Sequence, residues 1–121
     1  MSGGIDIQVK NANDGKISIL EPEGRIDSSS VGVMDEAFRQ AFSAGATAVL
    51  VDMVKVEYIS SGGLRSFLLA LKEMKKRNGA MVLCCLSPSV GKVFKLSGFN
   101  TIFEIIPDRN EALAKLSAGS T

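Results

Sequence analysis

The chain has 121 residues, 45% hydrophobic and 22% charged, with a net charge of +1. That length predicts a single domain, 1–121, large enough for one sheet with helices around a core at about residues 5–116. The composition is that of a soluble globular protein, and no apolar run nears the roughly 20 residues of a membrane span. Histidine is absent, which removes the commonest general base, the usual serine and cysteine triads and most zinc sites.

Met1-Ser2-Gly3-Gly4 has neither the basic start nor the apolar core of a signal peptide, so none is expected. Ser117–Thr121 is expected to be a frayed tail. The small net charge hides an asymmetry: residues 1–60 hold five basic and nine acidic side chains, residues 61–121 nine and four. The basic excess is read as a solvated helix face. One tyrosine, no tryptophan and no recognised nucleic-acid motif argue against DNA or RNA as partner.

In chain order, Ile5–Lys10 alternates and predicts a half-buried strand. Asn13-Asp14-Gly15 is a turn, and Lys16–Glu21 returns antiparallel to complete a hairpin. Pro22 cannot donate to a ladder, so it marks an edge, a bulge or the strand's end. Gly24-Arg25-Ile26-Asp27-Ser28-Ser29-Ser30 leads into a helix with Val31, Met34, Phe38 and Ala41 or Phe42 as its apolar stripe. A serine caps its start, and Gly45 fits its stop.

Residues 47–53 form a strand buried on both faces. A helix over 62–78 follows, carrying Leu64, Phe67, Leu68, Leu71 and Met74 inward, with Gly79 at its end. Residues 80–86 form a second buried strand. Its adjacent cysteines, Cys84 and Cys85, should point to opposite faces, which disfavours a disulfide or metal clip and suits a reducing compartment. Ser87-Pro88 opens a short helix with Val90, Val93 and Phe94 inward, closed by Gly98. A last strand covers Thr101–Ile105, and Asp108 with Glu111 starts a final helix that buries Ala112, Leu113 and Leu116.

The order ββαβαβαβα predicts an α/β fold: a small mixed, mostly parallel sheet with an N-terminal hairpin and helices packed on it. Functional groups in such sheets gather beyond the carboxyl ends of strands. Asp27 and the Ser60-Ser61 loop both follow strands, and neighbouring strands would place Asp27 close to Ser61. Either serine can cap the helix that follows. Gly62 and Gly63 weaken a helix, which makes sense where another molecule must approach the backbone. A phosphate on such a serine would be favoured by the open N–H groups and the helix dipole.

Asp52-x-x-x-Val56-x-Tyr58-Ile59-Ser60-Ser61-Gly62-Gly63-Leu64 resembles the signature of STAS domains, the anti-sigma factor antagonist family. Gly24-Arg25-Ile26-Asp27, Asn78-Gly79-Ala80, Ser87-Pro88-Ser89-Val90 and Leu96-Ser97-Gly98-Phe99 fall in family order, so the resemblance spans roughly residues 5–116. It implies a STAS fold and a binding switch in the bacterial cytoplasm, without a cofactor, a metal or enzymatic turnover. The unphosphorylated protein would sequester an anti-sigma factor that is also a GHKL-type serine kinase. Phosphorylation of Ser61 would end the binding, and a PP2C-type phosphatase would restore it. The implied partner surface comprises Asp27, Tyr58, Ser60, Ser61, Gly62, Gly63 and Arg65. Apart from the resemblance, exposed edges of a small sheet and its helix ends would support a weak dimer at most, so a monomer or weak dimer is expected. Ser60 stands where many members have aspartate, Gly62 where they have serine or threonine, Val54 for a frequent serine and Arg65 for a frequent glycine.

Two other functions compete. One is a STAS scaffold or ligand-sensing module in a signalling or transport assembly, without phosphoregulation. Ser60-Ser61-Gly62-Gly63 lacks the G-x-x-x-x-G-K-[ST] phosphate-binding pattern, so nucleotide is not expected. The other is an enzyme with Ser61 at a strand-to-helix turn, against which G-x-S-x-G is absent and no histidine can act as base. Asp52 is expected to satisfy loop backbone donors rather than act as acid or base. Glu57 and Tyr58 are read as exposed loop residues.

Overall fold

The computed structural model describes residues 5–119. The elements run β1 (Ile5–Ala12), β2 (Ile17–Ile26), α1 (Val31–Ser43), β3 (Ala48–Asp52), β4 (Val56–Ile59), α2 (Ser61–Lys76), β5 (Ala80–Cys84), α3 (Pro88–Leu96), β6 (Glu104–Ile106) and α4 (Arg109–Gly119), with a 3-10 turn at Phe99–Thr101. The sheet order is β1-β2-β3-β5-β6, and β4 also pairs with β2. Only β1 and β2 are antiparallel; every other pair is parallel. The expected α/β architecture is therefore present, with one strand more than the sequence predicted.

That extra strand is Val56–Ile59, expected to be loop. It escapes a period-two reading because Val56 pairs with Gly24 and Tyr58 with Arg25, which leaves Glu57 as an extra residue in the ladder. The bulge sets the two buried positions, Val56 and Ile59, three residues apart. Pro22 does not end its strand. It lies in the gap between the ladder to β3, which stops at Leu20, and the ladder to β4, which starts at Gly24.

The residues of β3 alternate across the sheet. Val49 and Val51 face the core under α1, α2 and α3, while Ala48 and Leu50 face the second core under α4. In the larger core Phe38, Phe67, Phe94 and Phe103 meet edge-on in a chain, with centroids 5.4, 6.5 and 5.8 Å apart. Full burial of a ring such as Phe67 contributes about 1.5–3 kcal/mol, and the edge-on geometry adds to that.

Several boundaries differ from expectation for local reasons. Asn78 (φ 60), not Gly79, takes the left-handed position after α2. Gly79 is there because a Cβ would stand 2.5 Å from Met74 Cε and 2.6 Å from the Thr47 carbonyl oxygen. Ser30 occupies the N-cap position of α1 but makes no side-chain cap. Thr101 ends the 3-10 turn rather than opening a strand, and β6 begins only at Glu104. Ser117–Gly119 continue α4 instead of fraying; Met1–Gly4, Ser120 and Thr121 lie outside the described residues. Among the described residues, no helix is long and apolar enough to cross a membrane.

Candidate functional site

Ile26 pairs with Ile59, so β2 and β4 end side by side. Ser60 N donates to the Ile26 carbonyl at 2.8 Å, which sets the two exit loops in register. Asp27 and the Ser60-Ser61 junction are thereby brought together, as the sequence anticipated, although through β4 rather than β3.

The two serines divide their work. Ser60 is extended (φ −89, ψ 174), and its Oγ accepts from Gly63 N at 3.2 Å, so it is the cap of α2. Ser61 is the first residue of the helix and is exposed; its hydroxyl has no hydrogen bond among the described residues. Ser60→Ala is expected to lower stability by about 1 kcal/mol through loss of the cap, read by urea denaturation. An unchanged midpoint would refute that role.

The glycines also divide. A Cβ on Gly62 would meet nothing nearer than Ser60 Oγ at 3.7 Å, so this exposed position leaves the backbone open to an approaching molecule. Gly63 is buried, and a Cβ there would lie 2.7 Å from Ile59 Cγ1, 2.8 Å from Ile26 Cγ2 and 3.1 Å from the Ile26 carbonyl oxygen. The helix thus sits directly on the two strand ends. An uncrowded backbone, as expected, is found at Gly62; at Gly63 the expectation is corrected, since that residue touches its own core.

Asp27 is fixed from its own loop. Its carboxylate accepts from Ser29 N at 3.0 Å and from Ser29 Oγ at 2.7 Å. These bonds hold its pKa below the ordinary aspartate range, with smaller help from Ser30 and Arg25, so it is an anion at neutral pH. Buried Ser30 anchors the loop: its Oγ accepts from Asp27 N at 3.0 Å and donates to the Arg25 carbonyl at 2.6 Å.

Arg25 is the residue that sequence reasoning missed. Its guanidinium carbon stands 4.3 Å above the Tyr58 ring, and its Nε is 3.8 Å from Asp27. A signal was available, since Arg25 lies two positions before Asp27 at strand spacing and so shares its side of the sheet. Tyr58 is exposed on β4 rather than in a loop, and Arg65 is exposed one turn beyond Ser61. The face therefore carries a free hydroxyl, one anion, two cations and one ring. At the C-cap of α2, Arg77 is held by Glu73 at 2.6 Å and by the Phe42 carbonyl at 3.0 Å.

Asp52 lies at the end of β3. It accepts from Val54 N at 3.0 Å, the loop role expected of it, and its other oxygen takes Arg109 Nη1 at 2.9 Å. Arg109 also bonds Glu21. The cysteines depart from expectation: β5 stops at Cys84, and the left-handed Cys85 (φ 63) turns back. Both sulfurs and an Asp52 oxygen lie within 4.8 Å of one another. Burial pushes both thiols up in pKa, which keeps them protonated, and Arg109 already occupies the carboxylate.

Fold and site together define a small α/β domain that displays an unengaged serine at a helix N-terminus, beside a fixed carboxylate. The STAS domain family matches residues 8–112, and the chain belongs to that family. BtrV of Bordetella bronchiseptica, named as a candidate anti-sigma factor antagonist, is 35% identical over 92 residues, covering 76% of this chain and 79% of that protein. The anti-sigma-B factor antagonist of Listeria monocytogenes is 29% identical over 101 residues, covering 84% and 88%. An anti-sigma factor antagonist from Mycobacterium paratuberculosis superimposes with a TM-score of 0.86 at 19% identity, covering 97% of this chain and 99% of that one. The unphosphorylated form of the antagonist SpoIIAA superimposes at 0.79 and 20% identity, covering 93% and 97%. At those identities the two structures speak for the fold.

Proposed function

We propose that this protein is an anti-sigma factor antagonist that works as a phosphorylation-controlled binding switch. Unphosphorylated, it binds an anti-sigma factor that is also a GHKL-type serine kinase; a phosphate on Ser61 ends the complex, and a PP2C-type phosphatase renews it. The reading rests chiefly on one observation: Ser61, unlike Ser60, keeps an exposed and unengaged hydroxyl on the first turn of α2. Its action is binding without turnover, in the cytoplasm.

The electrostatics support a switch at the surface rather than in the fold. A serine phosphate adds roughly −1.5 to −2 charges at neutral pH. On the first turn of a helix that charge is favoured by about 0.3–1 kcal/mol, so the domain stays folded. For an incoming partner, the phosphate would add to the ionised Asp27 and crowd the open backbone at Gly62. Asp27, Arg25, Tyr58, Ser61, Gly62 and Arg65 form the contact surface in this reading. Ser60 and Gly63 support it from beneath.

The test is a pull-down and titration against the GHKL-type kinase of the same host, with Ser61→Asp and Ser61→Ala beside the wild type. Ser61→Asp is expected to keep its melting temperature and lose binding by at least about a hundredfold, comparable to removing a central contact of an interface. Ser61→Ala should bind like the wild type and accept no phosphate. Equal binding by Ser61→Asp and wild type would refute the switch and leave a STAS scaffold that uses the same surface without covalent control.

A further inference from the structure

β1 forms one border of the sheet. β2 covers one of its edges along all eight residues without a register shift, and among the described residues no strand lies beyond the other. Such an edge is usually blunted by proline, a bulge or charge, because its free N–H and C=O groups invite another strand. β1 contains no proline, and its only charges are Asp6 and Lys10, placed symmetrically about Gln8. Ile5 and Ile7 pack toward α1. Beside them Val9 is 52% exposed and, on α1, Val33 is 41% exposed, and both line the groove between β1 and α1.

We propose that a second copy of this chain occupies this edge, its β1 antiparallel to the first about a two-fold axis at Gln8. An isologous contact must be self-complementary, and this one is. Asp6 lies opposite Lys10 of the second copy, and Lys10 opposite its Asp6. Ile7 lies opposite Val9 of the second copy, twice over. Residues directly opposite in an antiparallel pair share a side of the sheet. Both α1 helices therefore fall on one side, where the exposed Val9 and Val33 of each copy gain apolar cover. On the other side Lys10 Nζ, 3.3 Å from Glu21, gains a second carboxylate. Neighbouring registers lack this match: centred on Ile7, Asp6 meets Gln8; centred on Val9, Asp6 meets Ala12. No residue of the Ser61 surface lies on β1, so this contact is independent of the switch.

Sedimentation equilibrium over a concentration series tests it, with circular dichroism confirming that each variant is folded. The wild type is expected to dimerise reversibly. D6K and K10D should each weaken the dimer by about tenfold, since two attractive cross-strand pairs become repulsive. The double variant D6K/K10D should recover most of that loss. Q8C should form a disulfide dimer on mild oxidation, because position 8 faces itself at an antiparallel Cα separation of about 4.5–5.5 Å, within disulfide reach; D14C, on the hairpin turn, should not. A wild type that stays monomeric into the millimolar range overturns the proposal. So does a dimer indifferent to the single reversals, a double variant no better than the singles, or a Q8C protein that cross-links no more than D14C.

Discussion

Replacing Gly63 by alanine is expected to lower stability by about 1–3 kcal/mol, the usual range for overpacking, and to abolish binding at the Ser61 surface. The added methyl would stand 2.7 and 2.8 Å from carbons of Ile59 and Ile26, and 3.1 Å from a main-chain oxygen. Neither isoleucine can yield easily. Both are essentially buried, and β-branching leaves each few rotamers. Relief must come from moving α2 off the sheet, and Ile26 and Ile59 immediately precede Asp27 and Ser60. The same clash would therefore pull apart the two loops that compose the site. Gly62→Ala is the matched control: its Cβ meets only Ser60 Oγ at 3.7 Å, and an alanine in a helix gains about 0.5 kcal/mol or more over glycine. Urea denaturation of both proteins checks the pair. A Gly63→Ala protein as stable as Gly62→Ala would refute the packing account.

Arg109→Met should be the second large loss, about 3 kcal/mol at neutral pH. The Asp52 side chain is only 5% exposed, and stripping the cation from a buried carboxylate lies in the about 3–5 kcal/mol class. The arginine's own side chain is 30% exposed, which places the effect at the low end. The loss should depend on pH. Glu21 has its pKa lowered in the folded protein, first by the hydrogen bond from Arg109 and then, more weakly, by Lys10. A folded pKa below the unfolded value means stability that is present above the ordinary glutamate value, about 4.3, and lost as pH falls through the lowered one. Wild type should therefore weaken more steeply than Arg109→Met as pH drops from about 5 toward 3. Stability curves that stay parallel over that window would refute the Glu21 contribution.

These two residues also show what the sequence withholds. Helices and buried strands were legible because their apolar residues recur at fixed spacing, and capping serines such as Ser87 follow local chemistry. The Asp27–Ser61 neighbourhood was legible for a topological reason, since both follow strands of one parallel sheet. Arg109 was not, because it is 57 residues from Asp52 and 88 from Glu21, and nothing local marks it as a partner. β4 was hidden by one extra residue, Glu57, which breaks the alternation that announces a strand. Gly63 read as a gap left for a partner because a glycine required by the protein's own packing and one required by a visitor look alike in one dimension. Cys85 misled through a left-handed turn that returned its sulfur to the Asp52 side.

The frame around Ser61 is held by the Ser30 and Ser60 hydroxyls, by Gly63 and by main-chain bonds between β2 and β4. The residues that face outward there, Arg25, Ser28, Tyr58 and Arg65, form no part of the core. Recognition and architecture are thus written in separate letters. Gene duplication could redraw the outward set without refolding the domain, so sibling copies in one cell could each answer to their own partner and remain insulated from crosstalk.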